Sequence, residues 1–273
     1  MHADWLIPDW PVPANVRAVF TTRSGGVSVT PWDTLNLGGH VGDAANKVAA
    51  NRARVQDALG ARAIFLQQVH GNVVLLLDGT TPDGLAADAC VTTERATACA
   101  IMVADCLPVL LASSDGRVVA AAHAGWRGLA GAPGRGAGVL EAVFDAFFAS
   151  FNSVAPVKRA QVAMNTIAWL GPCIGPTAFE VGAEVKAAFE AAQPESAACF
   201  VAKGSGKYLA DLAGLARLRL QALGIQRVYG NDGTAPWCTV GNPDRFFSHR
   251  RDAGANGSGF GTTGRMAAFV WLA

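Results

Sequence analysis

The sequence predicts an α+β fold in a single domain, residues 1–273, on three grounds. Short β-branched and apolar runs crowd the middle of the chain, with connections too brief for crossover helices, which favours antiparallel pairing over a doubly wound parallel sheet. Longer helical stretches gather toward the end. Hydrophobic residues make up 51% of the chain and charged ones only 16%, so a large core can form and disorder is excluded. At 273 residues, a prior of ~150 residues per domain allows one large domain or two small ones. No repeat or long linker divides the chain, so one is expected.

Val16 to Thr22 opens as a strand, and Ser24-Gly25-Gly26 marks the turn that follows it. Asp43 is placed to cap a helix from Ala44 to Leu59, whose Val48, Val55 and Leu59 share one face. Strands are then expected at Ala63 to Val69, Val73 to Leu77, Ala89 to Thr92, Thr97 to Val103, Val109 to Ala112 and Arg117 to His123. Helices follow at Val139 to Ala149, Gly182 to Ala192 and Leu209 to Leu223, and Met266 to Leu272 closes the chain as a strand. The Gly-rich stretches Gly131 to Gly138 and Asp252 to Gly264 read as surface loops.

Several function classes fall away. Lys and Arg total 22 against 21 Asp and Glu, so a net charge of +1 offers no global field for nucleic acid or an anionic membrane. Anion binding must be local. Ala98 to Ala104 and Cys106 to Ala112 are apolar stretches of seven residues each, far short of the ~18–20 of a spanning helix. The N-terminal residues lack a basic region followed by an apolar one, so a cytoplasmic location is expected. Six cysteines without a C-x-x-C pattern suit reduced thiols. No obligate protein partner is indicated.

Three motif matches fail on context. Gly259-Phe-Gly-Thr-Thr-Gly264 fits the dinucleotide fingerprint as a string, but only nine residues remain after it, too few for the helix and acid it requires. Gly204-Ser-Gly-Lys207 lacks the first glycine of a phosphate loop, Val201 standing there, and Tyr208 replaces the magnesium-binding hydroxyl. Five histidines with no His-x-His pair cannot furnish a four-copper oxidase site.

Chemically capable residues do stand at the ends of three apolar strands: His70 in Gln67-Gln-Val-His-Gly71, Cys106 in Ala104-Asp-Cys-Leu-Pro108, and His123 in Ala121-Ala-His-Ala-Gly-Trp-Arg-Gly128. Their His-x35-Cys-x16-His spacing is not a local ligand motif. On composition alone, a cysteine in an apolar run is more often a buried small hydrophobe, and a strand-end histidine a satisfied surface group.

Beyond these segments the chain resembles the bacterial proteins once labelled multicopper polyphenol oxidases (laccase domain) and later described as purine nucleoside phosphorylases. The resemblance runs through Thr21-Thr-Arg-Ser-Gly-Gly26, Leu35-Asn-Leu-Gly38, Asn51-Arg52, Gln68-Val-His-Gly71, Ala87-Asp-Ala89, Ala104-Asp-Cys-Leu-Pro108 and His123-Ala-Gly-Trp-Arg-Gly128. It continues through Leu170-Gly-Pro-Cys-Ile-Gly-Pro176, Phe179-Glu-Val-Gly182, Phe247-Ser-His-Arg-Arg-Asp252 and Thr263-Gly-Arg-Met266, covering nearly the whole chain in order.

The resemblance implies a four-layer α/β/β/α arrangement of mixed sheets and a metal held by His70, Cys106 and His123. A thiolate with two imidazoles suits Zn²⁺ and leaves a fourth position open, while Cu²⁺ can compete there under the Irving–Williams order. It also implies phosphorolysis of adenosine, inosine, guanosine and methylthioadenosine by inorganic phosphate, with adenosine deamination beside it. Arg52 and Arg127 are the candidates to clamp phosphate, although structural salt bridges would also account for them. Glu180 and Asp105 are candidate acids for deamination, with capping or backbone bonding the commoner role for each. His249 and Arg250 in Ser248-His-Arg-Arg251 are candidate substrate contacts or a solvated basic cluster, and Cys173 is expected to pack. The segments after Leu129 and after Asp252 look longer than the family pattern, which bears on substrate preference. Two competing classes remain: a cysteine hydrolase or deamidase with Cys106 as nucleophile and His123 as base, and a non-catalytic protein whose triad clips strands together. Copper-dependent phenol oxidation would be adventitious chemistry of the same site.

Overall fold

The run that begins at Val16 pairs not with its neighbour in sequence but with the strand that ends at Leu272. The computed structural model describes residues 2–131, 137–152, 157–253 and 261–273. In chain order the first elements are β1 (Val16–Phe20), α1 (Ala45–Leu59), β2 (Arg62–Phe65), β3 (Val74–Leu76), β4 (Ala89–Thr92), β5 (Thr97–Val103), β6 (Leu107–Ser113) and β7 (Val119–Ala124). Then come α2 (Trp126–Ala130), α3 (Val139–Asn152), α4 (Arg159–Met164), β8 (Thr166–Leu170), β9 (Glu180–Gly182) and α5 (Ala183–Glu190). The last are β10 (Phe200–Gly204), β11 (Lys207–Ala210), α6 (Leu212–Ala222), β12 (Arg227–Gly230), α7 (His249–Asp252) and β13 (Met266–Leu272).

One sheet has the order β1-β13-β5-β2 and a second the order β12-β8-β6-β7-β4-β3; a third, β10-β11-β9, is small. Both large sheets are mixed: β2 runs parallel to β5, β3 to β4 and β12 to β8, whereas the remaining neighbours are antiparallel. Strand alternation explains the layering, because successive side chains point to opposite faces. Ile101 and Val103 of β5 face Leu110, Val119 and Trp169 of the six-stranded sheet. Their neighbours Ala100 and Met102 face outward onto Val55 and Leu59 of α1. On β7, Val119 and Ala121 point into the space between the sheets, while Ala120 and Ala122 meet Val143, Phe144 and Phe147 of α3. Four layers result, α/β/β/α, as the family resemblance implies. Both faces of the central strands are covered, which is why their runs read as continuously apolar rather than alternating. Phe147 is fully buried, and truncating it to Ala would cost about 3–5 kcal/mol through lost transfer energy and the cavity left behind. No helix among the described residues is long and apolar enough to cross a membrane, and all six cysteines are free.

Some boundaries shift. Leu209 and Ala210, expected to begin a helix, end β11 instead, and Asp211 caps α6 by accepting from the Gly214 amide at 2.9 Å. Asp43 does not cap α1, whose first turn follows Ala44. Its carboxylate accepts from Ser28 Oγ at 2.6 Å and Asn36 Nδ2 at 3.0 Å, tying two loops together. The strand expected through Val69 stops at Phe65. Gly204, Ser205 and Gly206 have φ of 91°, 51° and 71° and make the tight turn between β10 and β11, so the half phosphate-loop string is hairpin chemistry. Residues 132–136 and 254–260, within the two Gly-rich segments expected as loops, lie outside the described residues.

Candidate metal centre

Three local structures deliver the triad. His123 stands near the end of β7, 3% exposed, with its backbone amide donating to the Asp88 carbonyl at 2.7 Å. Cys106 ends the corner between β5 and β6, where Asp105 adopts φ 90°. That left-handed corner is held because Asp105 accepts from Thr239 Oγ1 at 2.5 Å and from the Arg250 amide at 2.6 Å, while its carbonyl accepts from the Ile174 amide at 2.9 Å. His70 is exposed on a turn and is itself left-handed, with φ 61°, a conformation costing a non-glycine residue about 1–2 kcal/mol. The turn survives because the amides of Val69, His70 and Gly71 converge on the Asp88 carboxylate at 3.2, 2.8 and 2.7 Å.

Asp88 also holds His123, with Nδ1 2.8 Å from Oδ1. Donation from Nδ1 leaves the Nε2 lone pair free to bind a metal, the usual arrangement behind a ligating histidine. Ligand atoms of His70, Cys106 and His123 all lie within 4.8 Å of one another, and His70 Nε2 is 3.7 Å from Cys106 Sγ. Thiolate sulfur and imidazole nitrogen bound tetrahedrally to one Zn²⁺ stand ~3.5 Å apart, so the group fits a single ion. Gly125 is required for this approach, since a Cβ there would sit 2.9 Å from His70 Cδ2 and 3.1 Å from Cys106 Sγ. At Gly128 a Cβ would strike the Gly71 carbonyl at 2.7 Å, so α2 is seated directly on the His70 turn.

Electrostatics follow the same geometry. Burial opposes ionisation of Asp88, but the His123 hydrogen bond and the Gly71 amide outweigh it and hold the carboxyl below its usual range. Burial likewise opposes the Cys106 thiolate, yet the His123 charge and the imidazole hydrogen bonds bring the thiol down to about 6. For His123, burial favours the neutral ring, but the thiolate and Asp88 prevail and carry it up to about 9. The metal-free pair is an ion pair, and a metal ion would replace the shared proton.

The triad lies against a cavity of about 360 Å³, whose other walls include His40, Gln68, Phe179, His249, Arg250 and Arg265. That volume is in the range of small-molecule sites. Burial lowers His40 below its ordinary value, and the charges of Arg265, Arg52 and His70 lower it further, so this side of the cavity is electropositive.

Of the candidate substrate contacts, the structure brings His249 and Arg250 to the cavity and leaves three elsewhere. Arg52 does not line it: Nε donates to the Leu37 carbonyl at 3.0 Å, Nη1 lies 3.7 Å from Asp83, and the guanidinium covers Phe65 at 4.1 Å. Arg127 stacks over Trp126 at 4.5 Å in an adjoining groove that shares His70 and Trp126 with the cavity. Glu180 is turned to Lys203, 2.7 Å away. Asp105 braces the corner, and Cys173 packs in the core. Sequence reasoning missed Asp88, His40 and Arg265. The available signals were Asp88 directly before a strand and Arg265 directly before the closing strand, the same strand-end logic that found the triad.

Residues 17–273 match the family model described as multi-copper polyphenol oxidoreductase laccase, and the chain belongs to that family. It is 45% identical over 269 residues to the purine nucleoside phosphorylase YfiH of Shigella flexneri and to the purine nucleoside phosphorylase PA4543 of Pseudomonas aeruginosa, covering 98% of this chain and of each relative. Among solved structures, Neisseria meningitidis NMB0706 superposes with TM-score 0.79 at 44% identity over 98% of this chain and 99% of that one. YlmD of Geobacillus stearothermophilus gives TM-score 0.82 at 30% identity over 96% and 93%. These relatives carry the name of an enzyme, which supports an enzyme here.

Proposed function

We propose that this protein is a cytoplasmic, zinc-dependent purine nucleoside phosphorylase that converts adenosine, inosine, guanosine or methylthioadenosine and phosphate to the base and ribose 1-phosphate. Adenosine deamination is its second activity. The observation that carries the reading is a Cys-His-His cluster set into the wall of a cavity that Arg250 and Arg265 also line, in a chain 45% identical to relatives named purine nucleoside phosphorylase. His70, Cys106 and His123 would hold the ion, with Asp88 orienting His123 and shaping the His70 turn. When bound, Zn²⁺ supplies Lewis acidity and an acidified water at neutral pH. The remaining work falls to the protein: cavity cations attract the anionic substrate, Phe179 offers the base an apolar face, and the layered core keeps the walls rigid. Glu180 and Asp105 are committed to Lys203, Thr239 and the Arg250 amide, so proton transfer for deamination is assigned to His40 or His249.

One observation favours a second reading. The low thiol pKa of Cys106 beside His123 is the pairing a cysteine hydrolase would use. Elemental analysis of purified protein together with a nucleoside screen, with and without phosphate, separates the two. About one zinc per chain and phosphate-dependent base release support the phosphorylase. Metal-free protein that turns over amides, or equal base release without phosphate, overturns it.

A further inference from the structure

Of the two cavity arginines, Arg250 has its terminal nitrogens committed, Nη1 to the Ala178 carbonyl at 3.3 Å and Nη2 to the Glu180 carbonyl at 3.1 Å. Arg265 is different. Its Nη1 donates to the Thr263 and Gly264 carbonyls at 3.0 and 3.1 Å, whereas Nε and Nη2 make no hydrogen bond with a described residue. Those two nitrogens form the side of the guanidinium that grips two oxygens of a phosphate at once. No carboxylate among the described residues lies within salt-bridge distance of it. Asp105, which acts on Arg265 electrostatically, has its oxygens occupied by Thr239 and the Arg250 amide.

The rest of the residue is fixed. Its amide donates at 2.9 Å to Oδ1 of Asn36, a fully buried side chain whose Nδ2 donates to the Gly38 carbonyl at 3.2 Å. Its stem crosses Gly38 so closely that a Cβ there would stand 2.7 Å from Arg265 Cγ. Leu35-Asn-Leu-Gly38 and Thr263-Gly-Arg-Met266 thus form one mount, which holds a guanidinium with its bidentate edge free in the wall of the cavity that carries the triad.

The geometry points to Arg265 as the residue that seats inorganic phosphate, in place of Arg52 and Arg127, with Asn36 and Gly38 as its positioning residues. This rests on the phosphorylase reading for its reaction but not for its binding. A charge-assisted hydrogen bond of about 1.5–3 kcal/mol corresponds to roughly 10–100-fold in affinity.

The test uses the metal-loaded protein and two readouts: equilibrium dialysis of radiolabelled inorganic phosphate, and separate KM values for phosphate and nucleoside. In Arg265→Gln the phosphate Kd and KM are expected to rise at least tenfold, with nucleoside KM within twofold and zinc content unchanged. Arg265→Lys, which keeps the charge and loses the fork, should lie between it and wild type. Gly38→Ala, which displaces the stem without touching the charge, should raise phosphate KM severalfold and serves if Arg265→Gln does not fold. Unchanged phosphate binding in the folded variants, or phosphate and nucleoside KM rising together as a structural role would make them, overturns the assignment. Wild-type protein that binds phosphate through Arg265 but releases no base would sink the phosphorylase reading and leave the phosphate seat standing.

Discussion

His70 and His123 bring the same ring to the same point, but they are mounted in opposite ways. His123 belongs to a strand paired on both sides, is nearly inaccessible, and has its ring set by the Asp88 side chain. His70 stands on an exposed turn in a left-handed conformation, and Asp88 grips the backbone of that turn rather than the ring. One carboxylate therefore supports both ligands, one through a side chain and the other through main-chain amides. The sheet can position a ligand at no conformational cost, whereas the turn holds one in a strained state that the Asp88 hydrogen bonds must offset.

The largest expected effect separates the two mounts. His123→Ala removes the cationic partner of the buried Asp88 carboxylate, leaving it the three turn amides, and should destabilise the metal-free protein by about 3 kcal/mol. His70→Gly places the residue that best tolerates φ 61° at that position and should stabilise the metal-free protein by about 1 kcal/mol. Both variants should lose their metal. Denaturant melts and zinc analysis of the two variants check the contrast, which fails if His70→Gly is also destabilised.

Asp88→Asn acts on both mounts at once. Metal affinity should fall by about 10–100-fold, as it does when the partner behind a ligand is altered. Competition with a chromophoric chelator measures it. The Asp88 carboxyl is held below its ordinary value in the folded protein, so the stability it contributes is complete above the ordinary carboxyl range and disappears as pH falls through the depressed value. Wild-type protein should accordingly tolerate lower pH than Asp88→Asn, and acid unfolding followed by circular dichroism tests the sign.

At the corner opposite the two histidines, Cys106 in chelator-treated protein should be alkylated by iodoacetamide with a midpoint at pH about 6, and zinc should protect it. A rate that rises only above pH 8 would mean that the ion pair with His123 does not form.

The smallest effects concern the two arginines outside the cavity. Arg52→Gln should cost about 1 kcal/mol through its lost contact with Phe65, and Arg127→Lys should change stability little. Phosphate KM should stay within twofold of wild type in both. A tenfold rise in either would restore that arginine as the phosphate clamp.

Much of the layered core was legible because Thr97–Val103 and Met266–Leu272 are apolar throughout, and a strand buried on both faces needs little more. The short strands β8 to β12 were not anticipated. Lys203 to Lys207 reads as polar loop, and Thr166–Leu170 has no flanking alternation to distinguish it from its surroundings. The triad was found because each member lies within a motif of the family; Cys106 and His123 do stand at strand ends, whereas His70 sits on a turn five residues beyond the strand expected to deliver it. Arg127 stood out because it lies four residues from a ligand in sequence, and Arg265 was not considered. Four residues on, the chain has turned into α2 and carried its guanidinium over Trp126, whereas Arg265 arrives from 142 residues beyond His123 through a sheet register that sequence spacing does not encode.

β13 lies between β1 and β5, so the four-stranded sheet has a gap at its centre until Met266–Leu272 is in place. On the ribosome, β1 and β5 emerge long before the strand that joins them and must wait with their ladder edges open to water or to one another. Closing the sheet at the end also sets Arg265, the residue just before β13, into the cavity wall. Because β13 follows both of its neighbours in the chain, the anion seat forms later than the strands that flank it, and a nascent chain stalled short of Met266 would have both candidate histidines translated and no completed pocket around them.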